Sequence, residues 1–202
     1  MSSYAQTGRK ARRARQAQEK SRKLAIGAGV ALVVVVFIAW LTWSTLGGSS
    51  QATVQRVDVE GSDVGKIAPN FTVPTLDNST FTLADQRGKP TVVFFMAYWC
   101  GTCMPEARAL ARLSMEYGDR AHIIAIDVDP SSTPASLQQF KRAAGDGIYT
   151  WAFDAQQQVT QRYQVSALET TLIIDADGYI VYRGASPSYG TLNREIKKFT
   201  TS

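Results

Sequence analysis

The apolar run Thr91–Ala97 ends three residues before Cys100-Gly-Thr-Cys103, and Ala107, Leu110, Ala111, Leu113 and Met115 then recur at helical spacing to about Tyr117. An uninterrupted apolar run is the pattern of a strand buried on both faces. A buried strand that enters a helix through Cys-x-x-Cys admits few folds. The strand must be central in an α/β sheet, with the cysteines beyond its carboxyl end, where such folds place their sites.

The rest of the domain fits that frame. Phe71–Thr75 and Thr80–Leu83 flank Leu76-Asp-Asn-Ser79 and predict a hairpin. Ala121–Val128 predicts a second buried strand. Asp129-Pro-Ser-Ser-Thr133 then opens a helix over Pro134–Ala144. A short extended piece at Thr150–Phe153 and a short helix at Gln156–Tyr163 follow. Thr171–Ile174 and Tyr179–Tyr182 bracket Asp175-Ala-Asp-Gly178, an Asp-Gly hairpin, and a last helix covers Gly190–Phe199. This order implies an α/β fold: a mixed sheet with helices on both faces and a β-hairpin extension at its N-terminal side.

Upstream, Leu24–Leu46 is uncharged and almost wholly apolar, a length that suits a helix crossing about 30 Å of hydrocarbon. In lipid the backbone must satisfy its own hydrogen bonds, so helix is expected despite the β-branched run Val33–Val36. Trp40 and Trp43 sit where interfacial rings belong. The competing reading is a cleaved signal peptide. The run exceeds the usual h-region of about 7–15 residues, and no good small-x-small cleavage site stands before Gly47 and Gly48. Arg12-Arg13 resembles a twin-arginine pair, but no apolar segment follows it directly. The expected organisation is a basic cytoplasmic tail (1–23), a transmembrane helix (24–46), a polar linker with a short extended piece (47–66) and the domain proper (67–202).

Eight lysines and arginines lie in residues 1–23 against Glu19 alone, so the tail carries +7 of a chain whose net charge is +5. The body is therefore −2, which offers no basis for a nucleic-acid surface. The tail's charge instead orients the anchor, N-terminus inside and domain outside, and suits anionic lipid heads. The chain has two cysteines, both in this motif, and a bridge closing so short a loop adds little stability. The pair is read as reactive.

At a helix start, unpaired N–H groups and the helix dipole favour an anion and lower a thiol's pKa from about 8.5. Cys100 is thus the expected nucleophile, with an outward-facing sulfur. Cys103, one turn on and less exposed, is placed to resolve a mixed disulfide. The exchange needs no cofactor and no metal ion. Glu106 shares a helix face with Cys103, and a buried carboxyl there could accept or return its proton; the bland alternative is an acid complementing the helix dipole.

Trp99-Cys100-Gly-Thr-Cys103, with Ala68-Pro-Asn-Phe71 upstream and Asp175-Ala-Asp-Gly178 downstream, resembles the thioredoxin superfamily, in particular its TlpA/ResA-like membrane-anchored branch. The likeness spans Ile67 to Lys198. It implies a thioredoxin-like fold and dithiol–disulfide exchange with protein substrates, such as apocytochrome c or other exported proteins. It also implies an upstream membrane dithiol donor, and that Glu106 matches the acid this branch keeps near its second cysteine. Trp99, Leu168 and Glu169 are the expected substrate contacts.

Two departures stand out. The resemblance implies a cis-proline opposite the cysteines, and this chain has Glu169 there, so a trans peptide is expected. A carboxylate facing Cys100 opposes its ionisation, which makes the pair a stronger reductant than a proline version; Glu169→Pro is then expected to raise the potential. Pro105 stands two residues after Cys103, where the family's proline comes later, and implies a shifted kink.

His122, the only histidine, reads as structural. Asp127, Asp129, Asp175 and Asp177 read as strand-end turns, and the sequons at Asn70 and Asn78 as chance. Three rivals remain open on the residues alone. They are a copper-handling module using Cys100, Cys103 and Met104, a peroxiredoxin-like peroxidase with Cys100 attacking peroxide, and a non-catalytic interaction domain. The direction of electron transfer is not legible in the motif.

Overall fold

The computed structural model describes Phe37 and residues 54–200. The basic tail and, apart from Phe37, the expected transmembrane segment 24–46 lie outside the described residues. Among the described residues no helix is long and apolar enough to cross a membrane.

The centre is a five-stranded mixed sheet of order β7-β6-β5-β8-β9. Its strands are β5 (Thr91–Met96), β6 (His122–Asp127), β7 (Thr150–Phe153), β8 (Thr170–Ile174) and β9 (Ile180–Ala185). Strands β5, β6 and β7 run parallel, whereas β8 is antiparallel to both β5 and β9. Every residue of β5 is buried, as a central strand with both faces covered requires.

Alternation along β5 divides the core in two. Val92, Phe94 and Met96 face α1 (Met104–Tyr117), α2 (Pro134–Ala143) and α4 (Tyr189–Thr200) through Leu110, Leu113, Leu137, Leu192 and Ile196. Val93 and Phe95 face the other layer. That layer consists of α3 (Gln158–Arg162), with Val159, and a hairpin of β3 (Thr72–Pro74) and β4 (Thr80–Thr82), with Val73 and Phe81. Helices thus cover both faces, and the hairpin does much of the covering on the second. Its turn places Asn78 at φ 64°, a left-handed conformation that asparagine tolerates. At the second expected hairpin, Gly178 takes φ 88° and its N–H donates to the Asp175 carbonyl.

Ordered structure starts upstream of Ile67, the boundary expected from sequence. Strand β1 (Val57–Glu60) pairs in parallel with β2 (Lys66–Ile67). Arg56 ties this segment to the main sheet, pairing with buried Asp175 at 2.5 Å and exposed Asp177 at 2.9 Å. The polarity that marks 47–66 as linker is, in its second half, the polarity of an exposed strand. Helix α1 runs from Met104 to Tyr117 with Pro105 in its first turn, so the proline opens the helix rather than bending it.

Tyr163 joins the two halves of the second layer. It is fully buried, edge-on to Phe71, and its hydroxyl donates to the Pro69 carbonyl at 2.6 Å. Tyr163→Phe leaves that acceptor unpaired and is expected to cost about 1–3 kcal/mol, read as a lower urea midpoint at unchanged m-value.

Candidate active site

The chain leaves β5 at Met96 and turns, with the Cys100 N–H donating to the Ala97 carbonyl at 2.9 Å. Gly101–Cys103 form a 3-10 turn that runs into α1. Cys100 caps that turn: its Sγ accepts the Cys103 N–H at 3.1 Å and lies 3.4 Å from the Thr102 hydroxyl. These contacts favour negative charge on sulfur 100. Cys103 lies in the core and is joined to Cys100 by a disulfide.

One expectation is corrected. In the oxidised form Cys100 does not face outward; it is 4 % exposed, against 0 % for Cys103. The bond to Cys103 draws its sulfur onto the core. What distinguishes the two sulfurs is the capping N–H at Cys100, not their exposure.

Glu106 lies in the first turn of α1 and is 4 % exposed. Its Oε1 accepts a hydrogen bond from the hydroxyl of Thr171 on β8, while Oε2 is buried without a partner. Burial, reinforced by the charge of Glu169 and opposed by the Thr171 bond, pushes the carboxyl up to about 8. The group is thus no ordinary helix-capping acid, which would stay ionised and wet. Its affinity for a proton is close to that of a free thiol, about 8.5.

Glu169 sits directly before β8, and there is no cis peptide bond among the described residues. Its φ of 65° lies in the left-handed region. Proline, held near −65°, cannot adopt this loop. The substitution expected to restore the family's proline would therefore remodel the loop, and charge has to be tested by Glu169→Gln. The loop is held by both backbone groups of Glu169: its N–H donates to the Phe95 carbonyl, and its carbonyl accepts from the Ser186 N–H, each at 2.9 Å. The Ser186 hydroxyl donates to Oε2, and Oε1 stands 4.0 Å from Cys100 Sγ. The two sulfurs and a Glu169 oxygen lie within 4.8 Å of one another, a cluster that could hold a metal ion among the described residues.

Beside the pair, Trp99 is 60 % exposed with its indole N–H on the Asp129 carboxylate. Leu168 is half-buried and packs against both cores. His122 stands at the opposite end of the sheet from the cysteines: it pairs with Thr91, where β5 begins. Burial lowers its pKa. Asp127 accepts from the Ser132 hydroxyl at 2.7 Å, and Asp175 from the N–H groups of Asp177 and Tyr179, so both organise turns.

Two residues of the site were missed by sequence reasoning. Thr171 carried a signal, being a hydroxyl in an otherwise buried strand, which needs a partner. Ser186 carried none, because its contact with Glu169 arises only when β9 returns along β8.

Comparison with known proteins agrees with this geometry. Residues 64–183 match the AhpC/TSA family. The chain is 30 % identical over 141 residues to "Mercury resistance operon ORF3" of Streptomyces lividans, covering 68 % of this chain and 74 % of that one. It is 33 % identical over 125 residues to the thiol-disulfide oxidoreductase ResA of Bacillus thuringiensis, covering 61 % and 70 %. Among solved structures, a thioredoxin-like protein from Aeropyrum pernix superposes with a TM-score of 0.56 at 26 % identity, covering 64 % of this chain and 89 % of that one. With a Cys-x-x-Cys disulfide capping the helix after a central strand, the chain belongs to the AhpC/TSA family, as one of its thioredoxin-like thiol–disulfide oxidoreductases.

Proposed function

We propose that this oxidoreductase works outside the cytoplasm as a reductant of protein disulfides, held at the membrane by one transmembrane helix over residues 24–46. The observation that carries the exchange reading is the Cys100 sulfur at a helix start, receiving the Cys103 N–H at 3.1 Å while bonded to Cys103. The Cys100 thiolate attacks a substrate disulfide, releasing one substrate sulfur and forming a mixed disulfide. Cys103 then displaces the second substrate sulfur, leaving the substrate with two thiols and the enzyme oxidised. A membrane dithiol donor returns two electrons to the pair.

The reductant direction is supported by charge. Glu169 Oε1 stands 4.0 Å from Cys100 Sγ, where its charge disfavours the thiolate and so the reduced form. Substrate contact is supported by exposed Trp99 and by Leu168. The backbone of Glu169 is held by Phe95 and Ser186, and half-buried Leu168 beside it is the position assigned here to meet an extended peptide. The anchor and its orientation are supported by the uncharged run 24–46 behind the basic tail.

Equilibration in glutathione buffers tests the direction: a potential nearer about −270 mV than about −120 mV marks a reductant. Glu169→Gln removes the opposing charge and is expected to raise the potential by about 10–30 mV and lower the Cys100 pKa. An unchanged or lower potential sinks this role for Glu169. Alkylation of Cys100 in reduced whole cells by a membrane-impermeant maleimide tests the topology; protection from the reagent would place the domain inside.

A copper-handling role would rest on the two sulfurs alone, since His122 lies at the far end of β5 and β6 from the cysteines. No specific observation favours the peroxidase or the non-catalytic reading.

A further inference from the structure

Reduction of the disulfide adds two electrons and two protons and leaves two thiols where there was one bond. Those sulfurs then face a third donor. Glu169 Oε1 and the two sulfurs lie within 4.8 Å of one another. Around a tetrahedral zinc ion, bonds of about 2.3 Å to sulfur and about 2.0–2.2 Å to oxygen put neighbouring donors roughly 3.3–3.8 Å apart, so small side-chain shifts suffice.

We propose that the reduced site binds one zinc ion through Cys100 Sγ, Cys103 Sγ and Glu169 Oε1. The inference uses the same cysteine pair as the exchange reading but assigns it a second ligand class. Binding releases the two thiol protons and needs no oxidant or reductant.

The carboxylate is presented for this purpose by its surroundings. Ser186 donates its hydroxyl to Oε2, which leaves Oε1 on the sulfur side. Holding a carboxylate by its outer oxygen is how metal sites orient the oxygen that binds the ion. The loop beneath is pinned at both backbone groups of Glu169, by Phe95 and by Ser186. The Cys-x-x-Cys spacing is itself that of zinc-binding cysteine pairs. Glu169 is half-buried, and a water molecule would supply the fourth donor that tetrahedral zinc takes.

Donor chemistry selects the ion. Two thiolates and one carboxylate make a mixed soft and hard set, which suits zinc. Copper(I) is satisfied by two thiolates and has no use for the carboxylate, and calcium or magnesium would not take the thiolates. A bound zinc ion occupies both sulfurs, so it holds the site reduced and stops exchange until the metal is withdrawn.

The test uses the full chain in detergent, reduced with a phosphine under argon and titrated with zinc chloride against a chromophoric chelator. Reduced protein is expected to take one equivalent, and oxidised protein none. Glu169→Gln is expected to weaken uptake at least about tenfold. Cadmium-113 on the wild-type protein should resonate where mixed sulfur–oxygen ligation does. No uptake by the reduced chain overturns the proposal, as does a sulfur-only cadmium resonance or equal affinity in a folded Glu169→Gln variant. If that variant does not fold by circular dichroism, the wild-type cadmium resonance decides. Insulin-disulfide reduction by the same metal-free preparation separates the two readings: active protein that ignores zinc fails this inference alone, whereas inert protein fails the exchange reading.

Discussion

Replacing Cys100 by Ser is expected to reduce insulin-disulfide reduction to the buffer background, a loss of at least about a thousandfold. The hydroxyl keeps the capping position and can accept the Cys103 N–H, so the fold should survive. What disappears is the sulfur whose charge that N–H stabilises at 3.1 Å. Cys103→Ser should behave differently. Attack by Cys100 remains, but no second sulfur follows one turn on, so mixed disulfides accumulate and show as thiol-sensitive adducts on non-reducing gels. If Cys100→Ser retained activity, or if the two variants behaved alike, the division of labour between capping and buried sulfur would be wrong. Neither change should lower thermal stability much, because a bridge across three residues constrains little of the unfolded chain.

The second large effect concerns Glu106. Its carboxyl, pushed up to about 8 by burial, binds a proton about as tightly as an ordinary thiol. Matched affinities let a proton pass with little cost in either direction. Glu106→Gln keeps the Thr171 bond but carries no transferable proton. Turnover at pH 7 is expected to fall about a hundredfold, and the limb of the pH–rate profile near pH 8 should vanish. If turnover and profile are unchanged, Glu106 has no part in proton transfer.

Stability provides an independent check on the same group. The folded-state value of about 8 lies above the ordinary 4.5, so the folded chain holds this proton more tightly than the unfolded chain does. Glu106 therefore costs nothing below about pH 4.5. Its penalty grows as pH rises through the interval and is complete above about pH 8, at no more than about 5 kcal/mol. Wild-type protein should lose melting temperature between pH 5 and pH 9 more steeply than Glu106→Gln. The variant should be the more stable of the two at pH 9. Parallel curves would mean that this carboxyl ionises normally.

The strands and helices were legible because their signals are local. The run at Thr91–Ala97 could only be a strand covered on both sides, and the spacing from Ala107 to Met115 could only serve a helix with one buried face. Apolar period and turn residues settle these elements before any contact forms. The hairpins at Asn78 and Gly178 followed from the tolerance of those residues for left-handed backbone. Segment 57–66 was legible only as a linker with a short extended piece; its attachment to the domain was not, because Arg56 is anchored to Asp175, 119 residues away.

The chemistry divides along the same line. Two cysteines at helical spacing after a buried strand identify the reacting atoms, and neighbours in sequence suffice for that. Their surroundings were set by distant segments. Thr171 meets Glu106 across 65 residues, and Ser186 reaches Glu169 across a strand pairing. A proton affinity depends on what excludes water from a group, and a ligand set depends on which donors share a few ångströms. Both are properties of folded space rather than of order along the chain. The exchange reaction was therefore readable from residues alone, whereas a carboxyl held near 8 and a third donor beside the sulfurs emerged only when β8 and β9 closed over α1.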